Sequence, residues 1–148
     1  GIILPHKEYL KALKQKCTET GTLLILDDVQ MGFGRTGKLF SFENYDFIPD
    51  ILTIAKGMGG GMPIGAFISS KQIMNTLTYG PELGHITTFG GHPVSCAAAI
   101  ANLNVILDEK ILEGINEKGE LFKAELENNS KISEIRECPK NIYLSQMH

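Results

Sequence analysis

The 148-residue sequence contains no tryptophan, and aromatic residues make up only 7% of it. Cysteine is scarce as well: Cys17, Cys96 and Cys138 are odd in number and far apart. That pattern speaks against a disulfide scaffold and suits a reduced, intracellular compartment. Long apolar runs are missing. The stretches around Leu23–Leu26 and Ala97–Ala101 are short and give way to polar or acidic residues, so neither would span a membrane. With no signal-peptide pattern either, a cytoplasmic location is expected. A formal net charge of −3 carries none of the basic excess that nucleic acid or an anionic membrane would attract, so neither is expected as a partner. His92 and Cys96 lie four apart on one helix face, but no second ligand pair stands at zinc spacing. No metal is therefore expected, and Cys96 reads as a small helix residue.

What is present is an ordinary globular composition, 43% hydrophobic and 21% charged, in a chain long enough for one domain with a substantial core. Pro5 to Thr20 reads as a helix, with Pro5 at the first helical position, Leu10, Leu13 and Cys17 at helical spacing, and Gly21 as the stop. Leu23–Leu26 is too short for a helix. A continuous rather than alternating apolar run predicts a strand covered on both faces, as in a parallel α/β sheet. It ends in Asp27-Asp28 and is followed by the glycine-rich loop Gly32–Gly37. The pattern repeats: a Pro49-Asp50 turn, an apolar strand Ile51–Ala55, and then Lys56 ahead of four glycines between Gly57 and Gly61. Gly65–Ser69 predicts a third buried strand and Lys71–Leu77 a short helix. Thr87–Gly91 is a turn, Pro93 opens a long helix to about Asp108, and Lys110–Leu126 is amphipathic, with Ile111, Ile115, Leu121, Phe122 and Leu126 on one side. Strands alternating with helices predict an α/β architecture, in which ligands bind beyond the carboxyl ends of the strands. Asp27 and Lys56 both take that position.

A lysine flanked by a buried strand and a glycine run is placed to present a neutral amine, the form that attacks a carbonyl to make a Schiff base. The glycines let a bound group approach the backbone. Asp27 meets a second requirement of pyridoxal chemistry, a carboxylate that keeps a ring nitrogen protonated, though a strand-end aspartate also serves as a turn cap and the residues alone leave both roles open. Gly57–Gly61 is not a nucleotide phosphate loop, because its lysine precedes the glycines and no terminal Gly-Lys-Ser/Thr follows.

Four segments, Asp27–Gly37, Pro49–Lys56, Gly59–Ala66 and Thr87–Pro93, resemble in order and separation the signature segments of the class-III pyridoxal-phosphate-dependent aminotransferases, the family of acetylornithine, ornithine and 4-aminobutyrate aminotransferases. The resemblance reaches from the first helix to about Leu126. It implies a fold-type-I transferase: part of a large domain over residues 1–108, with a mostly parallel sheet flanked by helices, and the incomplete start of a small domain over 109–148. It implies transamination between an amino acid or ω-amine donor and a 2-oxo acid, with pyridoxal 5'-phosphate as cofactor. Lys56 would hold the cofactor and carry the proton, Asp27 would pair with the ring nitrogen, Val29 would pack on a ring face, and Gln30 would bond the phenolic oxygen. Thr88 would bind the phosphate of the neighbouring subunit's site in a homodimer. Arg35 would be structural, bracing the glycine loop.

The sequence departs from the family pattern at Asp28, where Glu is more usual, and at His92, where Asn is. The segment expected to bind phosphate and stack on the ring lies outside it, and the pattern departs again after Arg136. The expectation is therefore a fragment with little turnover of its own that tends to associate. Two other activities share the scaffold, an aminomutase and a decarboxylase. Gln30 speaks against the first and the Thr87–Pro93 turn against the second. A truncated product acting only as a binding or assembly partner is the non-enzymatic alternative.

Overall fold

The computed structural model describes residues 3, 5, 6, 8–80, 85–130, 132–138 and 141–146. Helix α1 spans Tyr9–Thr20 and stops at Gly21, which takes the left-handed conformation (φ 67°) and returns its N–H to the helix carbonyls. The helix begins later than the position of Pro5 suggested. Tyr9 N–H bonds His6 O and Glu8 N–H bonds His6 Nδ1, so this stretch forms a turn rather than helix.

Strand β1 covers Ile25–Asp27, β2 Ile51–Ile54 and β3 Ala66–Ser69, in the sheet order β1-β2-β3. β1 and β2 are parallel, with Asp27 opposite Thr53. β3, by contrast, runs antiparallel to β2, with Ile54 opposite Ala66. A parallel return needs a crossover of a dozen or more residues, and the glycine turn between β2 and β3 is too short for one. The chain therefore doubles back, and the expectation of a mostly parallel sheet holds only for the β1–β2 pair of this chain. Nor is β3 a buried strand: Phe67 and Ile68 are each 49% exposed. Among the described residues the buried apolar ones are Phe47, the β2 residues Leu52 and Ile54, and Ile106 of helix α3 (Pro93–Asp108).

Helix α2 is confined to Lys71–Asn75, capped by Ser70 Oγ, and continues as a 3-10 turn to Thr78. The amphipathic segment after Lys110 is likewise split, into a 3-10 turn at Ile111–Gly114 and α4 at Ile115–Glu127. Lys110, with a left-handed backbone (φ 51°), separates α3 from the 3-10 turn, and Gly114 stands where that turn gives way to α4. Its predicted apolar side is only partly covered, since Leu121 and Phe122 remain more than 60% exposed. β4 (Ile132–Cys138) and β5 (Asn141–Gln146) form an antiparallel pair, with Cys138 opposite Asn141. No helix among the described residues is long and apolar enough to cross a membrane.

One side chain ties the sheet together. Asp50 Oδ2 accepts the Leu24 N–H (2.8 Å) and its Oδ1 accepts Lys14 Nζ from α1 (2.6 Å). Its N–H bonds Leu24 O (3.0 Å) and its own carbonyl accepts Ser69 Oγ at the end of β3 (2.6 Å). The Leu24 N–H and the Lys14 ammonium hold this carboxyl below its ordinary value of 3.8. A carboxylate with a depressed folded-state value stabilises the fold above the unfolded-state value, and that contribution is lost as pH falls through the folded one. Asp50→Ala is expected to cost about 2 kcal/mol at neutral pH, the scale of charge-assisted hydrogen bonds to a half-buried group. In urea titrations the gap from wild type should be constant above pH ~5 and close below the carboxyl's ordinary range. A gap independent of pH would show that the charge contributes nothing.

Candidate active site

The parallel register of β1 and β2 sets Asp27 and Lys56 at the same edge of the sheet, Asp27 as the last residue of β1 and Lys56 just past the end of β2. Asp27 Oδ1 accepts the Val29 N–H (3.0 Å), an Asx turn that directs the chain from strand to loop. Because Asp27 is exposed, its carboxylate serves this turn and remains open to a second partner. Lys56 Nζ donates to Gln30 Oε1, so the lysine amine and the amide of the Asp27–Gln30 turn meet directly. The lysine backbone lies in the left-handed region (φ 44°), which costs a side-chain-bearing residue on the order of 1 kcal/mol or more and concentrates at functional positions. Lys56 is exposed, contrary to the expectation that the sheet edge would bury it.

The loop behind these residues is fixed by groups that sequence reasoning passed over. Asp28 is 1% exposed, and its Oδ2 accepts the Ser41 N–H (2.9 Å) across the glycine loop. Its Oδ1 is buried without a hydrogen-bond partner among the described residues. Thr36, also 1% exposed, accepts from Asn44 Nδ2 (3.0 Å). Arg35, expected to brace the loop, is exposed. Asp28, Thr36 and Asn44 tie the loop together by side-chain hydrogen bonds. The loop in turn touches the lysine turn. A Cβ on Gly57 would lie 3.1 Å from Phe33 Cβ, so only glycine lets the two segments meet this closely. On the other side, Asn102 of α3 donates to Gly57 O (2.7 Å). The acidic doublet was the available signal for Asp28. For Asn102 it was a polar residue set within an Ala/Ile/Leu helix.

An amine, a carboxylate and a side-chain amide on one sheet edge form a donor set that suits the ring of pyridoxal phosphate: a carbonyl partner for Lys56, a basic nitrogen for Asp27 and a hydroxyl for Gln30. Val29 is half-buried beside them. Thr88 is exposed in the Thr87–Gly91 turn, and no hydrogen bond or ion pair among the described residues joins it to the others. A hollow of about 340 Å³ lined by Met62, Pro63, Phe89, His92 and Ser95 adjoins that turn. A larger cleft of about 490 Å³ lies at the other end of the sheet, around the Lys14–Asp50 pair. Its walls are mainly apolar, and its polar groups are already engaged in structure: Lys14 on Asp50, Ser69 Oγ on the Asp50 carbonyl and Ser70 Oγ on the Ile73 N–H.

These elements define an α/β chain with a lysine just past a strand terminus. The class-III aminotransferase family model matches residues 1–141, past the predicted departure at Arg136. The chain belongs to the class-III aminotransferase family. It is 47% identical over 140 residues to an acetylornithine aminotransferase of Caldanaerobacter subterraneus subsp. tengcongensis, a match covering 92% of this chain and 35% of that protein. Among solved structures, an (S)-enantioselective omega-transaminase from Thermomicrobium roseum superposes with a TM-score of 0.88 at 35% identity, over 99% of this chain and 34% of the other. The taurine:2-oxoglutarate aminotransferase of Bifidobacterium kashiwanohense, solved with PLP and glutamate, superposes with a TM-score of 0.80 at 34% identity, over 92% and 31%. The chain thus spans about a third of the length of the relatives it matches.

Replacing Asp28 by Ala would leave the Ser41 N–H without its acceptor and open a void behind the loop. A loss of about 1–3 kcal/mol in chemical unfolding is expected. Unchanged stability would show that the loop is held from elsewhere.

Proposed function

We propose that this chain carries the catalytic lysine of a pyridoxal-phosphate-dependent transaminase, which moves an amino group from an amino acid or ω-amine donor to a 2-oxo acid. The observation behind this reading is the meeting of Lys56 with Gln30, beside Asp27, at the carboxyl edge of two parallel strands. Residues 1–108 would belong to the large, cofactor-binding domain and 109–148 to the start of the small one. The working unit would be a cytoplasmic homodimer in which Thr88 reaches the neighbouring site to hold its phosphate.

Pyridoxal phosphate, when bound, supplies an aldehyde to the amine and a ring that takes up the electrons of a breaking Cα–H bond. Lys56 is the nucleophile that anchors it. Freed by an incoming amine, Lys56 Nζ would be placed to take up a proton as general base and give it back. Asp27 holds a proton on the ring nitrogen: at ε near 20, opposite charges ~4 Å apart interact by roughly 4 kcal/mol, enough to keep that site protonated at neutral pH. Gln30 would hold the phenolic oxygen through its amide N–H, and Val29 would cover one ring face.

Borohydride treatment with pyridoxal phosphate should fix the cofactor on Lys56 of wild type, and Lys56→Ala should fall to background. Asp27→Asn should still be labelled but should lower the half-reaction rate by about a hundredfold or more, in line with loss of that charge pair. N-acetylornithine is the first donor to test and 2-oxoglutarate the first acceptor, given the relatives' activities. Labelling spread evenly over surface lysines would reject the site.

A further inference from the structure

Lys56 keeps a left-handed backbone (φ 44°) that a side-chain-bearing residue leaves readily unless its surroundings oppose it. The turn that follows, Lys56–Gly59, is a short 3-10 segment closed by Met58 N–H on Ala55 O (2.9 Å). Short 3-10 turns have poor hydrogen-bond geometry and do not hold themselves. The second grip comes from α3. Asn102 Nδ2 donates to Gly57 O at 2.7 Å and lies 3.5 Å from Met58 O. The helix is also seated sterically. Gly60 is left-handed (φ 57°), and a Cβ there would stand 2.9 Å from Asn102 Cβ and 3.5 Å from Ala98 O. Helix and glycine turn thus touch along one face, and Asn102 is half-buried between them.

We infer that Asn102 is a positioning residue for Lys56. By holding the carbonyl of the residue after the lysine, it keeps the turn from relaxing and so keeps the amine directed at Gln30. This rests on the reading of Lys56 as the cofactor lysine. Asn102 would touch neither cofactor nor substrate. Its effect passes through Gly57 to the lysine backbone.

The test compares Asn102→Leu, which keeps the bulk without the donor, Asn102→Asp, which keeps the shape but sets a carboxylate against two carbonyls, and Asn102→Gln, which restores an amide donor. Each full chain is incubated with pyridoxal phosphate and reduced with borohydride, and labelling rates at Lys56 and at exposed Lys38 are read by peptide mass, with thermal midpoints alongside. Loss of one hydrogen bond from the turn should slow labelling at Lys56 about tenfold in the Leu and Asp variants. Lys38 should be unchanged, and Gln should recover much of the rate. The induced circular dichroism of the bound chromophore should weaken in the same order, a signal that loss of general stability would not grade this way. Leu and Asp variants labelled at the wild-type rate, or Lys38 falling in parallel, would overturn the inference while leaving Lys56 as the cofactor lysine. Wild type failing to label preferentially at Lys56 would overturn the reading of the site itself, and this inference with it.

Discussion

Everything at the Lys56 end depends on a carboxylate at the opposite end of the sheet. Asp50 bonds the Leu24 amide, the Lys14 ammonium and, through its backbone, Leu24 O and Ser69 Oγ, so a single residue aligns α1, β1, β2 and β3. A parallel pair has no hairpin to set its register, and a one-residue slip would exchange the faces of every side chain. With Asp50 as the stop at one end and the Asp28 N–H on Thr53 O at the other (2.9 Å), Asp27 and Lys56 can arrive only on adjacent strand ends. The proposed chemistry would use one edge of the sheet, and the alignment is set at both.

From that register follows a relay of backbone contacts rather than of charges. Asp28 anchors the glycine loop at Ser41, the loop brings Phe33 against Gly57, and α3 grips the same glycine through Asn102. The last two contacts meet at Gly57, which has no side chain to keep the partners apart. Gly57, Gly59 and Gly60 therefore act less as flexible hinges than as close-packing positions, and the lysine between strand and turn is held in a conformation it would not choose alone.

Much of this was legible in the residues. The order of elements, the stop at Gly21, the start of α3 at Pro93 and the shared position of Asp27 and Lys56 follow from periodicity and from Gly/Pro punctuation. The family followed from four motifs in order, and the family match over residues 1–141 agrees. What was hidden was pairwise. The antiparallel return of β3 depends on the length of a turn, not on the composition of the strand. The burial of Asp28 and Thr36 and the reach of Asn102 depend on contacts across 13, 8 and 45 positions of sequence, which no local pattern encodes.

The accessible surface carries a thermodynamic consequence. A compact protein of 16.2 kDa exposes about 7,500 Å², whereas this chain exposes 10,627 Å². Against an unfolded chain of roughly 23,500 Å², it buries on the order of one-fifth less surface than its length would allow. Heat capacity and denaturant sensitivity both scale with the surface uncovered on unfolding, so this chain's stability curve is flatter and its transitions broader than 148 residues would ordinarily give. The apolar area left in water on Phe67, Ile68, Leu121 and Phe122 is free energy that any element covering those faces would collect on docking, so the folding of this chain and its association draw on the same reserve.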